Sequence, residues 1–385
     1  MKTNEKTKKF AEEPTSVLGR LLRGASWYGA EWYWTMTGAV ILAVIILVTI
    51  FAPVLSPYDP IVTVGGPFER PGGGQVVLLA PKNSGITSPE GLKVAVYYNT
   101  TASVVAEDYG MTPRPYQVDK DLFEKVRAGE AQAVLISARK AAEALQANPD
   151  FVQIGQPFGP RFWLGTDNLG RDILSRLIWG ARAVLAVAIL SALFSAAIGI
   201  PLGLLSGFFG GWMDRVLSLV MDSIYSFPGL ILAIAVAAML GTGVINIAIA
   251  ISVVYIPTYF RMTRSQVLSI KEELYVEAAR ALGAKQREIL GMYIFPNVVP
   301  TLVVVFSLNV ADAILTEAGL AFLGLGLQPP TPDWGFDLNK GKAYLPRGYW
   351  WPITFPGLMI TLVALGFSLL GEGLGEILNP RLTEE

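Results

Sequence analysis

The sequence predicts an α-helical membrane protein of six transmembrane helices with an α/β domain inserted after the first, and three observations carry this. Hydrophobic residues make up 52% of the 385 and charged residues only 16%, giving a mean hydropathy of +0.46, well above that of a soluble globular chain. Six stretches are apolar enough to cross a bilayer, a task that takes about 20 residues at a helical rise. Between the first and second lie roughly 100 residues of mixed composition, the size of one small domain.

The same composition excludes several chemistries. A net charge of −1 offers no basic excess for neutralising phosphates, so nucleic acid is not an expected partner. With no Cys and no His, the chain has no disulfide, thiol nucleophile, common zinc site or His-centred triad.

The spans read as Thr35–Pro53, Ala183–Leu205, Val216–Leu240, Ile245–Tyr259, Val298–Leu320 and Ile353–Leu370. The first is too long in its apolar core, and too poor in small residues after it, for a cleaved signal, so it stays as an anchor. Lys2, Lys6, Lys8, Lys9, Arg20 and Arg23 place an arm over residues 1–34 in the cytoplasm. Arg261, Arg264, Lys271, Arg280, Lys285 and Arg287 do the same for a loop over 261–296. Six spans then put both termini inside, with the first helix at 35–57, a permease-like core at 183–372 and a tail at 373–385. Arg171, Arg176 and Arg182 run against this charge rule and are read as part of an external amphipathic segment, 161–182, held by protein.

In the insert, 58–160, strands are expected at Gln75–Ala80, Lys93–Tyr98, Tyr116–Val118, Ala131–Ile136 and Phe151–Ile154. Helices are expected at Thr101–Tyr109, after a cap at Asp119, and at Ser137–Ala147, giving a parallel sheet covered on both faces. The run Gly91-Leu92-Lys93-Val94-Ala95-Val96 with Asn99-Thr100-Thr101, and Val126-Arg127-Ala128-Gly129 through Leu135, resemble one lobe of the periplasmic binding proteins. A lone lobe leaves much of a small solute exposed, so the insert is expected to modulate docking of a binding protein instead of holding cargo itself.

Ser269 and Glu272, three apart, suggest a capping box leading into a helix over Glu272–Leu282 that Gly283 closes. Within it stand Glu277-Ala278-Ala279, followed by Gly283 and then Pro296. Adjacent alanines allow close approach of another backbone, Gly283 can reverse the chain, and Glu277 offers a charge to a partner or pairs with Arg280. This spacing resembles the EAA signature of binding-protein-dependent ABC importer permeases. So do Leu164-Gly165-Thr166-Asp167-Asn168-Leu169-Gly170-Arg171-Asp172 with Leu174-Ser175-Arg176, and Phe322 through Gly335, and Asn379-Pro380-Arg381, which resemble segments of the dipeptide, oligopeptide and nickel permeases.

The resemblance implies a type I importer permease fold and the second of two paired permeases. It further implies a homologous partner permease, two ATPase subunits, with the Glu272–Leu282 helix seated in a groove of an ATPase subunit through the Glu277, Ala278, Ala279, Gly283 and Pro296 region, and an external binding protein. Cargo would be a peptide first, and a nickel chelate, glutathione or oligosaccharide after it. ATP and magnesium would be bound by the ATPase subunits: Gly335–Lys342 has the wrong spacing for a phosphate loop, with Ala343 where Ser or Thr must hold magnesium. Leu169 breaks the ligand series that a calcium loop over Asp167–Asp172 would need, so no metal is expected. A membrane receptor and a secondary transporter are the rival readings; the first lacks an output domain and the second an internal repeat.

Asp222, Asp312 and Glu317 fall inside expected spans, where a carboxylate costs about 2.5–3.5 kcal/mol, and so must face protein or water. Asn309, Asp312 and Thr316 share a helical face that fits an aqueous path and equally fits a contact with a neighbouring helix. Pro228 is expected to kink the third span.

Overall fold

The computed structural model describes residues 30–377, so the basic residues of the N-terminal arm and Asn379-Pro380-Arg381 lie outside the described residues. An unbroken apolar run makes helix α1, Ala30–Ile50, which starts ahead of the expected Thr35. Alternating apolar residues then build β1 (Val76–Pro81), β2 (Lys93–Tyr97), α2 (Thr101–Val105) and β3 (Thr112–Tyr116). They continue through α3 (Leu122–Arg127), β4 (Ala133–Ser137), α4 (Ala141–Ala147) and β5 (Phe151–Phe158).

The strands form one sheet in the order β3-β2-β4-β1-β5. It is mixed, not parallel throughout: β2 runs parallel to β3 and β4, whereas β1 is antiparallel to β4 and β5. The reason lies in the connection. Residues 82–92 contain no helix to carry the chain back across a face, so β2 starts at the edge where β1 ends. The third strand sits earlier than expected, and Asp121, not Asp119, caps α3 by accepting from the Phe123 N–H at 2.8 Å. Both faces are covered, as strand alternation requires. Ala102 and Val105 of α2 pack with Leu78 and Val96 on one face, while Leu122 and Val126 of α3 pack with Val77 and Ala95 on the other.

Helix α5 spans Ile173–Phe209, a length of about 55 Å at a helical rise. Residues 173–182, expected in a separate external segment, are therefore its first turns. Next, α6 (Gly211–Tyr225) and α7 (Gly229–Leu240) meet at 90° across Ser226–Pro228. The expected kinked span is thus broken. α7 alone, about 18 Å, is shorter than the ~30 Å hydrocarbon core.

The chain continues as α8 (Val244–Ile270), α9 (Leu274–Ala281), α10 (Phe295–Phe322), α11 (Trp334–Lys342) and α12 (Trp351–Ile377). Among the described residues five helices are long and apolar enough to cross a membrane, namely α1, α5, α8, α10 with its preceding turns, and α12. The bent pair α6 and α7 makes a sixth only if counted together. Because α8 runs on past Tyr259, Arg261 and Arg264 belong to a helix and not to a loop.

Small residues set the central packing. A Cβ added at Gly199, Gly203 or Gly207 of α5 would lie 2.6, 2.6 and 2.9 Å from atoms of α8, so the two backbones touch along this stripe. One turn below, the Ser195 hydroxyl donates to the Ser252 carbonyl at 3.0 Å.

Candidate coupling and translocation sites

Residues 164–176 form a buried polar knot. Thr166 accepts from the Glu69 N–H at 2.8 Å, donates to the Gly66 carbonyl at 2.6 Å, and its own carbonyl receives the Trp351 indole N–H at 3.1 Å. Asp167 receives the Arg171 guanidinium at 2.6 Å and the Leu169 and Arg171 N–H groups at 2.8 and 3.0 Å. Its oxygens are thus engaged by the chain itself. Gly165 and Gly170 both take positive φ, and Gly170 runs so close beneath the Gly65 carbonyl that no side chain fits. Asp172 caps α5 through the Ser175 N–H at 2.8 Å. The pair that sequence reasoning missed is Arg176 with Asp337, a bidentate contact at 2.9 and 2.6 Å with both side chains nearly buried. A third guanidinium bond reaches the Pro60 carbonyl at 3.0 Å, so one arginine ties the segment between α1 and β1 to α5 and α11. Arg182 donates to the Thr49 carbonyl at 2.9 Å, closing the end of α1. These three arginines are held by protein.

At the other end of α8 the chain turns through Lys271–Glu273 into α9. Ser269 still belongs to α8 and α9 starts after Glu273, so the expected capping box does not form. What closes α9 is a C-terminal motif. Gly283 takes φ +85°, its N–H bonds the Arg280 carbonyl at 3.0 Å, and the Ala284 N–H bonds the Ala279 carbonyl at 3.1 Å. Val276 turns inward onto Ile289, Ile294 and Val298, and Ala279, three residues on, is buried as well. Glu277 and Ala278 are exposed, as are Leu274 at 81% and Leu282 at 89%, and among the described residues no ion pair joins Glu277 to Arg280. The two alanines therefore divide the work: Ala279 packs the helix down, and Ala278 leaves its outer face shallow. Pro296 stands in the first turn of α10, where its missing N–H and its ring disturb the turn before it; Ile289–Ile294 widens to a π turn.

The intramembrane polar residues do not share one surface. Asp222 lies on α6 and pairs with Arg261 of α8 at 2.7 Å, near the α9 end of the helices. Asp214 and Arg264 make a second α6–α8 pair at 2.5 Å that the sequence did not reveal. Asn309 is buried and donates to the Val305 carbonyl of its own helix at 2.9 Å. Asp312 is exposed, and Thr316 meets the Tyr255 hydroxyl at 2.9 Å. Glu317 is fully buried beside Asp333, the α11 cap that accepts from the Phe336 N–H at 3.1 Å. Burial pushes the Asp333 carboxyl above its usual range.

A family model described as binding-protein-dependent transport system inner membrane component matches residues 199–384, and one for the N-terminal TM domain of oligopeptide transport permease C matches 34–70. The chain is 42% identical to the glutathione transport system permease protein GsiD of Pectobacterium atrosepticum over 233 residues, 60% of this chain and 77% of that one. The chain belongs to this family of inner membrane permeases. As a permease of an ABC importer it is also 43% identical over 234 residues to the di/tripeptide transport system permease protein DppC of Pseudomonas aeruginosa, covering 61% of this chain and 76% of that one. Among solved structures, an inward-facing MetNI methionine ABC transporter aligns with 53% of the permease and 96% of its own chain, at a TM-score of 0.43 and 18% identity. The two family models leave 71–198 of the permease unmatched, and the whole sheet β1–β5 falls in that interval.

Proposed function

We propose that the permease pairs with a homologous second permease to enclose a path for small peptides, glutathione among them. Of two ATPase subunits, which bind ATP and magnesium, one would seat on α9 and the other on the partner permease, and a binding protein would deliver cargo from the other side. One observation carries the coupling role: α9 and its C-cap present Leu274, Glu277, Ala278 and Leu282 outward while Val276 anchors the helix to the root of α10. A push on that face is delivered to a span directly. The peptide class rests on what the two relatives are named for. Asp312, Thr316 and Tyr255 are the side chains assigned to the path; Glu317 and Asn309 pack inside the chain.

With α6 and α7 counted as one crossing the spans number six and the termini share a side; the basic residues of the N-terminal arm and of the 261–296 region argue that this side is the cytoplasm, with the sheet outside, where it contributes to docking of the binding protein. A cysteine at Gln146, exposed on α4 in a chain with no native cysteine, tests this placement. It should react with a membrane-impermeant maleimide in intact cells; protection until the cells are lysed would reverse the orientation. The transport reading is tested in proteoliposomes holding the permease with its partners. ATP-dependent uptake of labelled glutathione or a dipeptide is expected, and uptake that persists without ATP would favour a secondary transporter.

A further inference from the structure

A cavity of about 440 Å³ opens at the carboxyl ends of β2 and β4. Its place follows from topology. The chain leaves β2 over one face through α2 to reach β3, then returns over the opposite face through α3 to β4 on the other side of β2. Neighbouring parallel strands whose connections diverge to opposite faces leave a crevice at their carboxyl edge, and this is where open α/β sheets take ligands.

A lone lobe was expected to leave a solute exposed. The structure supplies a second wall from the permease itself: linker residues Pro67–Gly73 lie across the crevice. The linker is fixed there by the Gly66 N–H donating to the Thr101 hydroxyl at 2.9 Å and by that hydroxyl donating to Glu69 Oε1 at 2.5 Å. On its far side Phe68 stacks on Tyr349 at 4.3 Å, so the wall is braced by the helical core.

The lining is chemically lopsided. Val76, Ala102 and Leu135 give an apolar floor. Arg70, Arg139 and Lys140 stand at the rim, and none has an ion-pair partner among the described residues. The only carboxylate in the lining is Glu69, one oxygen of which is already taken by Thr101. Unpaired guanidinium and ammonium groups around an apolar floor suit a carboxylate carried on a small organic body, and the volume lies within the roughly 300–1,000 Å³ of small-molecule sites.

We propose that this cavity is a binding site for a small organic carboxylate, closed by the linker and separate from the translocation path. Calorimetry on the full-length permease with its partners in nanodiscs tests it, with glutarate, glutamate and glycylglutamate as probes. Saturable binding of at least one is expected, weakened at least tenfold in an Arg70→Gln/Arg139→Gln variant and in Lys140→Gln. These residues are exposed, so the variants should elute and assemble as the parent does. Glutaramide, which lacks the charge, should bind at least tenfold more weakly. No saturable binding by any of the three probes, binding unchanged in both variants, or inorganic phosphate binding as tightly as the carboxylates would overturn the proposal.

Discussion

Gly283→Val is expected to reduce ATP-driven transport to background, a loss of at least about tenfold, with the amount of membrane-inserted protein unchanged. The added Cβ meets nothing within 4 Å, so the penalty is not a clash. It comes from φ +85°, which costs an L-residue about 1–2 kcal/mol and a β-branched one more. That is too little to unfold a protein, yet ~1.4 kcal/mol already shifts an equilibrium tenfold. The strain is relieved by giving up the bonds from Gly283 to Arg280 and from Ala284 to Ala279, which sets α9 loose from Ile289 and Ile294. Gly283→Asn is the control, since Asn tolerates this conformation and should retain most of the activity. Full transport by the valine variant would show that the turn does not position α9 for work.

The second large effect is on stability. Arg176→Met removes one partner of a buried bidentate pair and leaves Asp337 uncompensated, a loss of about 3–5 kcal/mol. The apparent unfolding midpoint in detergent should fall by roughly 5–15 °C. Replacing both partners, Arg176→Met with Asp337→Leu, should recover much of that loss, because the stranded charge and not the missing bond dominates the penalty. A double variant no better than the single one would contradict the paired role. Fluorescence-detected elution after heating measures both.

Much of this was legible because lipid imposes a strong signal. Uninterrupted apolar runs fixed α1, α5, α10 and α12, and Gly283 marked a chain reversal that the positive φ realises. The four-residue spacing of Gly199, Gly203 and Gly207 went unread, although it marks where α8 approaches. The break between α6 and α7 was masked because the apolar run Val216–Leu240 carries across Pro228, whereas the backbone turns through 90° there. Strand faces were readable from alternation, but strand direction was not: alternation is the same either way along a strand, and only the helix-free connection after β1 decides it. Asp222 looked like a lone intramembrane carboxylate since its partner Arg261 is 39 positions away, and Arg176 and Asp337 are 161 apart. Pairings at such separations depend on helix packing, which no local pattern encodes.

The coupling of ATP hydrolysis to transport rests on α9 meeting an ATPase subunit. A photo-crosslinking residue in place of Leu282, 89% exposed and next to the turn, tests that contact in the assembled transporter. Illumination should join the permease to an ATPase subunit in high yield, with the yield changing when ATP is added. Crosslinks to lipid alone, from a complex that still contains the ATPase, would contradict the account.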